Sequence, residues 1–409
     1  MIDVVADPTE VGVDGARIAR IDDHLARYVD DGRLAGWQVH VTRRGQTVHS
    51  SVYGQRDLEA GLPVEQDTLW RIYSMTKPIT SVTAMSLYEQ GRFSLNDELA
   101  KFLPAFADMR VLVGGNAEQP KTVPATEPIR IWHLLSHTAG LTYAFTRSSV
   151  LDDMYRLAAA DSLQDPASDL ETMCAKWASL PLMFEPGTAW NYSVATDVLG
   201  RLIEVLTGQT LDKAFTERVL GPLGMTDTHW SVGAQDATRL AALYVPNPAT
   251  GKALRYDAMG DLALSPPGML SGGGGLISTA ADYARFSQML VRGGELDGAR
   301  VLGPRTLAYM TRNHLPGGAY LATVGRGMFA ETAFDGVGFG LGFGVTADPV
   351  AAKVTSSVGE FTWGGYASTA FWVDPVEQIN AHFYTQLVPS STYPIRTELR
   401  QLVQASLVG

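Results

Sequence analysis

A serine and a lysine lie one helical turn apart in the stretch RIYSMTKPITSVTAM, residues 71–85. If this stretch begins a helix, Ser74 and Lys77 share one helix face, because side chains three residues apart are neighbours there. An amine in that position can take the proton from a serine hydroxyl, which is a weak nucleophile until a base activates it. Ser74 would also lie at the positive end of the helix dipole, where negative charge on a reacting acyl group is stabilised. The pair therefore predicts nucleophilic catalysis.

A plainer interpretation is that Ser74 caps a helix, because serine is a preferred N-cap residue and a lysine one turn later is common. Apolar residues recur every three or four positions from Met75 to Met85, which predicts a helix over about 75–91. Pro78 is tolerated only near a helix start, so it fixes that start close to Ser74. Of the seven lysines, only Lys77 has a serine three residues before it. This placement favours the catalytic interpretation.

Lysine and tyrosine have ordinary pKa values of about 10.4 and 10, so either must be lowered to act as a base near neutral pH. Burial lowers the pKa of a lysine, and a neighbouring ammonium lowers that of a tyrosine. The stretch EPGTAWNYSVATDVLG, residues 185–200, places Tyr192 just before a predicted helix. Ser74, Lys77 and Tyr192 would share protons as one coupled set.

The stretch FTWGGYASTAFWVDP, residues 361–375, places Trp363, Gly364 and Gly365 before a predicted strand. Glycines let a backbone approach a ligand closely and leave N–H groups available to bind an oxyanion. This segment is therefore a candidate for the oxyanion hole.

The three motifs S-x-x-K, Y-S-V and W-G-G, in this order and spacing, resemble the serine β-lactamase/penicillin-binding-protein-like superfamily, most closely its family VIII carboxylesterases. The phrases LLSHTAGL, GRFSLNDELAKFLP and GGGGLISTAADYARF are similar to the same superfamily, and the resemblance spans about residues 15–405. It implies that Ser74 is the acylated nucleophile, Lys77 its activator and Tyr192 the general base. It also implies an oxyanion hole made by the backbone N–H groups of Ser74 and Tyr366.

Two departures from the superfamily pattern bear on the substrate. Trp363 stands where penicillin-recognising relatives have the lysine of K-T-G, and Lys353, ten residues earlier, is out of register to replace it. Val194 stands where the Y-x-N pattern has an amide. Losing a cation and gaining an indole removes a charge-assisted hydrogen bond and adds apolar area. We therefore expect a neutral or apolar acyl group, held by Trp363, Gly364 and Gly365, with Tyr143 and Trp190 either lining the pocket or packing in the core.

The fold class that we predict is α/β of the α+β type: an antiparallel sheet flanked by helices, with a mainly helical insertion, as the resemblance also implies. Residues 16–31 have helical spacing, 36–54 read as a hairpin, and strand patterns return at 337–345, 366–374 and 378–387 before a final helix at about 393–407. Residues 1–75 and 276–409 would form the sheet domain and 76–275 the helical one, with the site between them.

The composition limits the classes of partner that we expect for this protein. A net charge of −11 argues against nucleic acid and anionic membranes, which need clustered Lys and Arg. A membrane span needs about 18 or more apolar residues in a row, and none occurs. Cys174 is the sole cysteine, and the acidic N-terminus does not read as a signal peptide, so we expect a cytoplasmic enzyme with a small-molecule ester substrate and no cofactor or metal.

Other sites fit the sequence less well. No serine lies in G-x-S-x-G, which excludes the α/β-hydrolase nucleophile elbow. His133 and His137 have zinc-like spacing, but Leu134 stands where H-E-x-x-H needs glutamate, so a structural hydrogen bond explains His137 better. The loop SGGGGLIS, residues 271–278, lacks the G-K-[ST] ending of a phosphate loop and is expected to pack against the site.

Rival functions remain open at this point. The same acyl-enzyme could pass its acyl group to an alcohol, which would make the protein an acyltransferase. A weak β-lactamase or a D-amino-acid peptidase is a further enzymatic alternative, and a catalytically silent, filament-forming scaffold is the non-enzymatic one.

Overall fold

The main sheet of the protein has eight antiparallel strands. The structure, a computed structural model, describes residues 7–160, 168–326 and 331–409. The strands run in the order β4-β5-β6-β7-β8-β1-β2-β3 across the sheet. Their bounds are β1 Gly36–Arg43, β2 Gln46–Asp57, β3 Leu62–Pro63, β4 Val337–Phe339, β5 Gly344–Thr346, β6 Phe361–Gly364, β7 Ala370–Asp374 and β8 Ile379–Tyr384. Pairing of β1 with β8 sets Gln38 opposite Tyr384, so the two ends of the chain complete one sheet.

The described helices of eight or more residues are α1 Arg20–Asp30, α2 Thr76–Glu89, α3 Val150–Leu157, α4 Leu170–Ala178, α5 Ala195–Thr207, α6 Ala280–Val291 and α7 Ile395–Ala405. Shorter α-helical segments are Gly15–Ile18, Ile131–Leu135, Leu211–Phe215, Asp257–Gly260, Pro304–Met310, Leu321–Val324 and Pro349–Ala352. Two-stranded ribbons pair Trp70–Arg71 with Ile277–Ser278, Arg110–Gly115 with Pro120–Pro124, Tyr244–Pro246 with Ala253–Arg255, and Glu295–Leu296 with Ala299–Arg300. None of the described helices combines the length and apolarity that a membrane crossing needs.

Alternation along β1 and β8 builds two different faces of the sheet, because successive strand residues point to opposite sides. Val39 and Val41 of β1 and Phe383 of β8 join the apolar cluster that α1 and α7 cover. On the opposite face, His382 contacts Ser287 of α6, with 2.7 Å between His382 Nε2 and Ser287 Oγ. This face leads into the larger apolar core that also contains α2 and α5.

The predicted fold class is confirmed: an antiparallel sheet is flanked by helices, and residues 76–275 add helices and short ribbons to it. The predicted hairpin, the helix after Ser74 and the final helix all form. The division into domains at 75/76 and 275/276 stays a proposal.

Two strand predictions needed correction. Residues 337–345 form two strands instead of one, because Gly342 has a φ of 101° and the Gly340 N–H bonds the Phe343 carbonyl in a tight turn. Residues 361–364 are themselves a strand, β6, whereas we expected them only to lead into one.

Candidate active site

Ser74 lies in a single 3₁₀ turn, Tyr73–Met75, immediately before α2 begins at Thr76. The preceding residue, Tyr73, has a φ of 41°, a conformation that is strained for a bulky side chain and costs on the order of 1–3 kcal/mol. The Trp70–Arg71 strand just before it pairs with Ile277–Ser278. This pairing brings the glycine-rich loop next to the serine turn.

Lys77 is buried one turn into the helix, and its amine contacts two oxygens. Lys77 Nζ lies 3.3 Å from Ser74 Oγ and 2.5 Å from the carbonyl oxygen of Gly273. Burial lowers the pKa of Lys77 to about 8, against a smaller opposing effect of Asp197 and Glu331. The predicted direction for the lysine is therefore confirmed, and a substantial part of the amine is neutral in mildly alkaline solution.

Tyr192 is buried beside the same amine, with its ring 4.5 Å from Lys77 Nζ. Trp363 Nε1 lies 3.4 Å from the Tyr192 hydroxyl oxygen and donates to it. Burial raises the pKa of Tyr192 well above its usual value, and Glu331 adds to this, whereas hydrogen bonds with Ser74 and Trp363 oppose it. The net shift is therefore opposite to the lowering that a tyrosine base near neutral pH would need, because loss of hydration outweighs the two hydrogen bonds.

The W-G-G segment meets the serine turn through backbone contact. A Cβ on Gly365 would collide with the carbonyl oxygen of Ile72, two residues before Ser74, and with the Thr369 hydroxyl. A Cβ on Gly364 would lie 2.5 Å from the guanidinium of Arg396. Glycine at 365 thus lets the end of β6 approach the segment before Ser74, and glycine at 364 leaves room for Arg396.

A cavity of about 320 Å³ opens beside Ser74. Tyr366, which follows the W-G-G segment, shares its wall with Ser74, and this places the two predicted oxyanion-hole residues on one cavity. Most of the other wall residues are apolar or aromatic: Tyr73, Tyr143, Phe145, Met173, Trp177, Val194, Met259 and Met269.

The two aromatic residues predicted to line a pocket have different positions. Tyr143 is part of the cavity wall, with its ring 5.4 Å from that of Tyr192. Trp190 is fully buried and stacks on Tyr192, with 6.2 Å between the ring centroids. Trp363 is equally buried and packs on Tyr192 at 5.3 Å. Both indoles therefore pack on the tyrosine, and neither is among the residues that line the cavity.

Known proteins show the same sequence pattern and fold. The family model for beta-lactamase matches residues 21–405. An uncharacterized protein of Mycobacterium tuberculosis is 36% identical over 364 residues, which cover 88% of each chain. Esterase EstB of Burkholderia gladioli is 32% identical over 98% of each chain. The protein belongs to the beta-lactamase family. A solved structure of EstCE1, described as a hydrolase with promiscuous acyltransferase activity, matches with a TM-score of 0.80 and 26% identity over 97% of this chain and 99% of that one.

The departures of this beta-lactamase family member from the penicillin-recognising pattern have a structural counterpart. Trp363, which the resemblance aligns with the K-T-G lysine, is a buried indole. Lys353 is exposed and donates to the Val350 carbonyl at 3.1 Å, so it does not replace that cation. Val194 adds a methyl surface to the cavity wall. An anionic ligand would therefore meet mainly apolar atoms here.

The loop from Ser271 to Gly275 packs against the site, as predicted. Its Gly273 carbonyl accepts from Lys77, and its Gly273 N–H donates to Asp197 Oδ1 at 2.9 Å. The sequence-based prediction missed Asp197, although it lies one turn after Val194 on a predicted apolar helix, where a carboxylate is unusual. It also missed Met173 and Trp177 of the cavity wall, which only the folding of α4 against α5 brings there.

The two histidines with zinc-like spacing have separate hydrogen bonds. The backbone N–H of Arg130 donates to His133 Nδ1 at 2.9 Å. His137 Nδ1 lies 3.2 Å from the Ser193 hydroxyl oxygen. The structural hydrogen bond expected for His137 is confirmed.

Proposed function

We propose that this protein is a serine carboxylesterase that hydrolyses short-chain or aromatic esters through an acyl-enzyme on Ser74. One observation carries the proposal: the amine of Lys77 lies within hydrogen-bond distance of the Ser74 hydroxyl, on the wall of a largely apolar cavity. Similarity to Esterase EstB over nearly the whole chain supports the same activity. The partner is a small ester, and the cytoplasmic location stays a prediction.

The directions in which the two pKa values are shifted indicate which group accepts a proton and which group donates one. Neutral Lys77 takes the proton from Ser74 as Oγ bonds to the ester carbonyl carbon, because its pKa is lowered to about 8. Tyr192 keeps its proton, since burial raises its pKa. It donates that proton to the departing alcohol oxygen and is reprotonated by Lys77. The N–H groups of Ser74 and Tyr366 hold the oxyanion.

Hydrolysis of the acyl-enzyme repeats these steps with water. The water proton moves to the Lys77–Tyr192 pair as its oxygen bonds to the acyl carbon, and Ser74 Oγ leaves with a proton from the same pair. The acid is released and the resting protonation returns.

Acyl transfer is the second candidate, because EstCE1 is described as having promiscuous acyltransferase activity. An apolar cavity wall suits an alcohol that competes with water for the acyl-enzyme. Product analysis with added alcohols separates the two outcomes, since transfer yields a new ester and hydrolysis yields only the acid.

The test is hydrolysis of p-nitrophenyl butyrate by the wild type and by Ser74→Ala, with nitrocefin, a chromogenic β-lactam, in parallel. We expect the variant to lose at least about 10³-fold in kcat/KM and the wild type to prefer the ester strongly. Preference for nitrocefin would favour the β-lactamase alternative. Equal ester hydrolysis by wild type and variant would overturn the proposal.

A further inference from the structure

Asp197 is connected to the Ser74–Lys77 pair by a continuous series of contacts. Its Oδ1 accepts from the Ser271 hydroxyl at 2.6 Å and from the Gly273 N–H at 2.9 Å. The Gly273 carbonyl in turn accepts a hydrogen bond from Lys77 Nζ, which is also within hydrogen-bond distance of Ser74 Oγ. Gly273 therefore links the position of the Asp197 carboxylate to that of the Lys77 amine.

The loop has little room to adjust around this carboxylate. A Cβ on Gly273 would lie 2.5 Å from Asp197 Oδ2. The neighbouring Gly272 carbonyl accepts from the Thr80 hydroxyl of α2 at 2.6 Å. The loop is thus fixed from α2 by Thr80 and from α5 by Asp197, and the amine of Lys77 donates to the Gly273 carbonyl of the same loop.

The charge of Asp197 is held by neutral donors. Its carboxylate accepts from a hydroxyl and a backbone amide, although the residue is only 2% exposed. Burial of a carboxylate without an ion pair is costly. Glu331, the other described acid that acts on Lys77, forms an ion pair with Arg396 at 2.7 Å.

The remaining groups that face Lys77 are not carboxylates. These are the Ser74 hydroxyl, the rings of Tyr143 and Tyr192 and the imidazole of His137, whose pKa is lowered by burial and then by Lys77 itself. Among the described residues, Asp197 is therefore the carboxylate acting on Lys77 that has no other cation to compensate it.

We propose that Asp197 is a positioning residue for Lys77. Through the Ser271–Gly275 loop it holds the amine within hydrogen-bond distance of Ser74, and its negative charge favours the ammonium form of that amine. This inference rests on the proposed esterase function, because it assigns a partner to the base of that reaction.

The direction of the effect on the pKa of Lys77 follows from the negative charge of Asp197. A carboxylate favours the ammonium form, so it raises the pKa of Lys77 against the stronger lowering by burial. It also raises the pKa of Tyr192. Loss of the charge moves both pKa values down, so the acid limb of the kcat/KM profile moves to lower pH whichever group the limb reports.

Asp197→Asn separates charge from position, because an amide oxygen can still accept from Ser271 and Gly273. We expect the acid limb of p-nitrophenyl butyrate hydrolysis to move to lower pH, with less than about tenfold loss on the plateau. Asp197→Ala also releases the loop and is expected to lose about 100-fold. Ser271→Ala keeps the charge, so its limb stays at the wild-type pH while kcat/KM falls.

Asp282→Asn is the matched control. Asp282 is a buried carboxylate with a similar donor set, the Thr228 hydroxyl at 2.8 Å and the Asp227 amide at 2.7 Å, and it is not among the charges that act on Lys77. The acid limb of the kcat/KM profile of Asp282→Asn should coincide with that of the wild type. A limb that stays in place for Asp197→Asn, or that moves equally for Asp282→Asn, would overturn the inference.

A second readout keeps the test independent of the ester. The rate at which diethyl p-nitrophenyl phosphate modifies Ser74, followed by intact mass, reports activation of the hydroxyl as a function of pH. A wild type that hydrolyses no ester refutes the proposed function, and the phosphorylation profile then still decides whether Asp197 controls Lys77.

Discussion

At the scale of single residues, burial shifts the pKa values of Lys77 and Tyr192 in opposite directions. It favours the neutral form of both, which lowers the pKa of Lys77 to about 8 and raises that of Tyr192. A neutral amine accepts a proton and a neutral phenol donates one. In the proposed mechanism Lys77 is thus the base and Tyr192 the acid, whereas the resemblance implied Tyr192 as the general base and the sequence left the resting protonation of both undecided.

Trp363 contributes through its single N–H donor. Trp363→Phe keeps an aromatic ring against Tyr192 but removes the 3.4 Å hydrogen bond to its hydroxyl. We expect kcat/KM for p-nitrophenyl butyrate to fall about three- to tenfold, the effect of one hydrogen bond. Steady-state kinetics on the purified variant would measure it.

Trp190→Phe is the matched control, because Trp190 also stacks on Tyr192 while its indole nitrogen has no hydrogen-bond partner among the described residues. Its loss of activity should be the smaller one. Equal losses in both variants would show that ring packing, and not the N–H of Trp363, matters to Tyr192.

At the scale of elements, the site depends on the contact between the end of β6 and the serine turn. Gly365→Ala places a Cβ against the Ile72 carbonyl and the Thr369 hydroxyl, so the two segments must separate. Overpacking of this kind costs about 1–3 kcal/mol of stability. Because it also displaces Tyr366 from Ser74, we expect about 100-fold loss of kcat/KM.

Gly274→Ala, in the Ser271–Gly275 loop, provides the comparison. Its Cβ would meet the carbonyl carbon of Tyr73 at an ordinary 3.8 Å, so stability should stay close to that of the wild type. Thermal melts and kinetics of both variants test the contact. A fully active, wild-type-stable Gly365→Ala would contradict it.

Most elements were predictable because their periodicity is local. The α2 segment repeats its apolar residues at helical spacing, and β1 and β2 alternate around a short turn. The break between β4 and β5 was not predictable in the same way, since alternation continues through Gly342 and only its backbone conformation interrupts the strand.

At the scale of the whole molecule, pairing of β1 with β8 joins the two chain ends into one sheet. This closure sets β6, and with it Tyr366, beside a serine almost 300 residues earlier in the sequence. Motif order and the superfamily resemblance predicted that meeting. The hydrogen bonds that the Ser271–Gly275 loop donates to Asp197 could not be predicted, because they depend on where α5 packs against that loop.

The central claim is that Ser74 is a nucleophile activated by its surroundings. Incubation with one equivalent of diethyl p-nitrophenyl phosphate, followed by intact mass and peptide mapping, tests it most directly. We predict a single diethylphosphoryl adduct on Ser74 in the wild type and none in Ser74→Ala. An adduct on another residue, or an unmodified wild-type protein that still hydrolyses esters, would contradict the account.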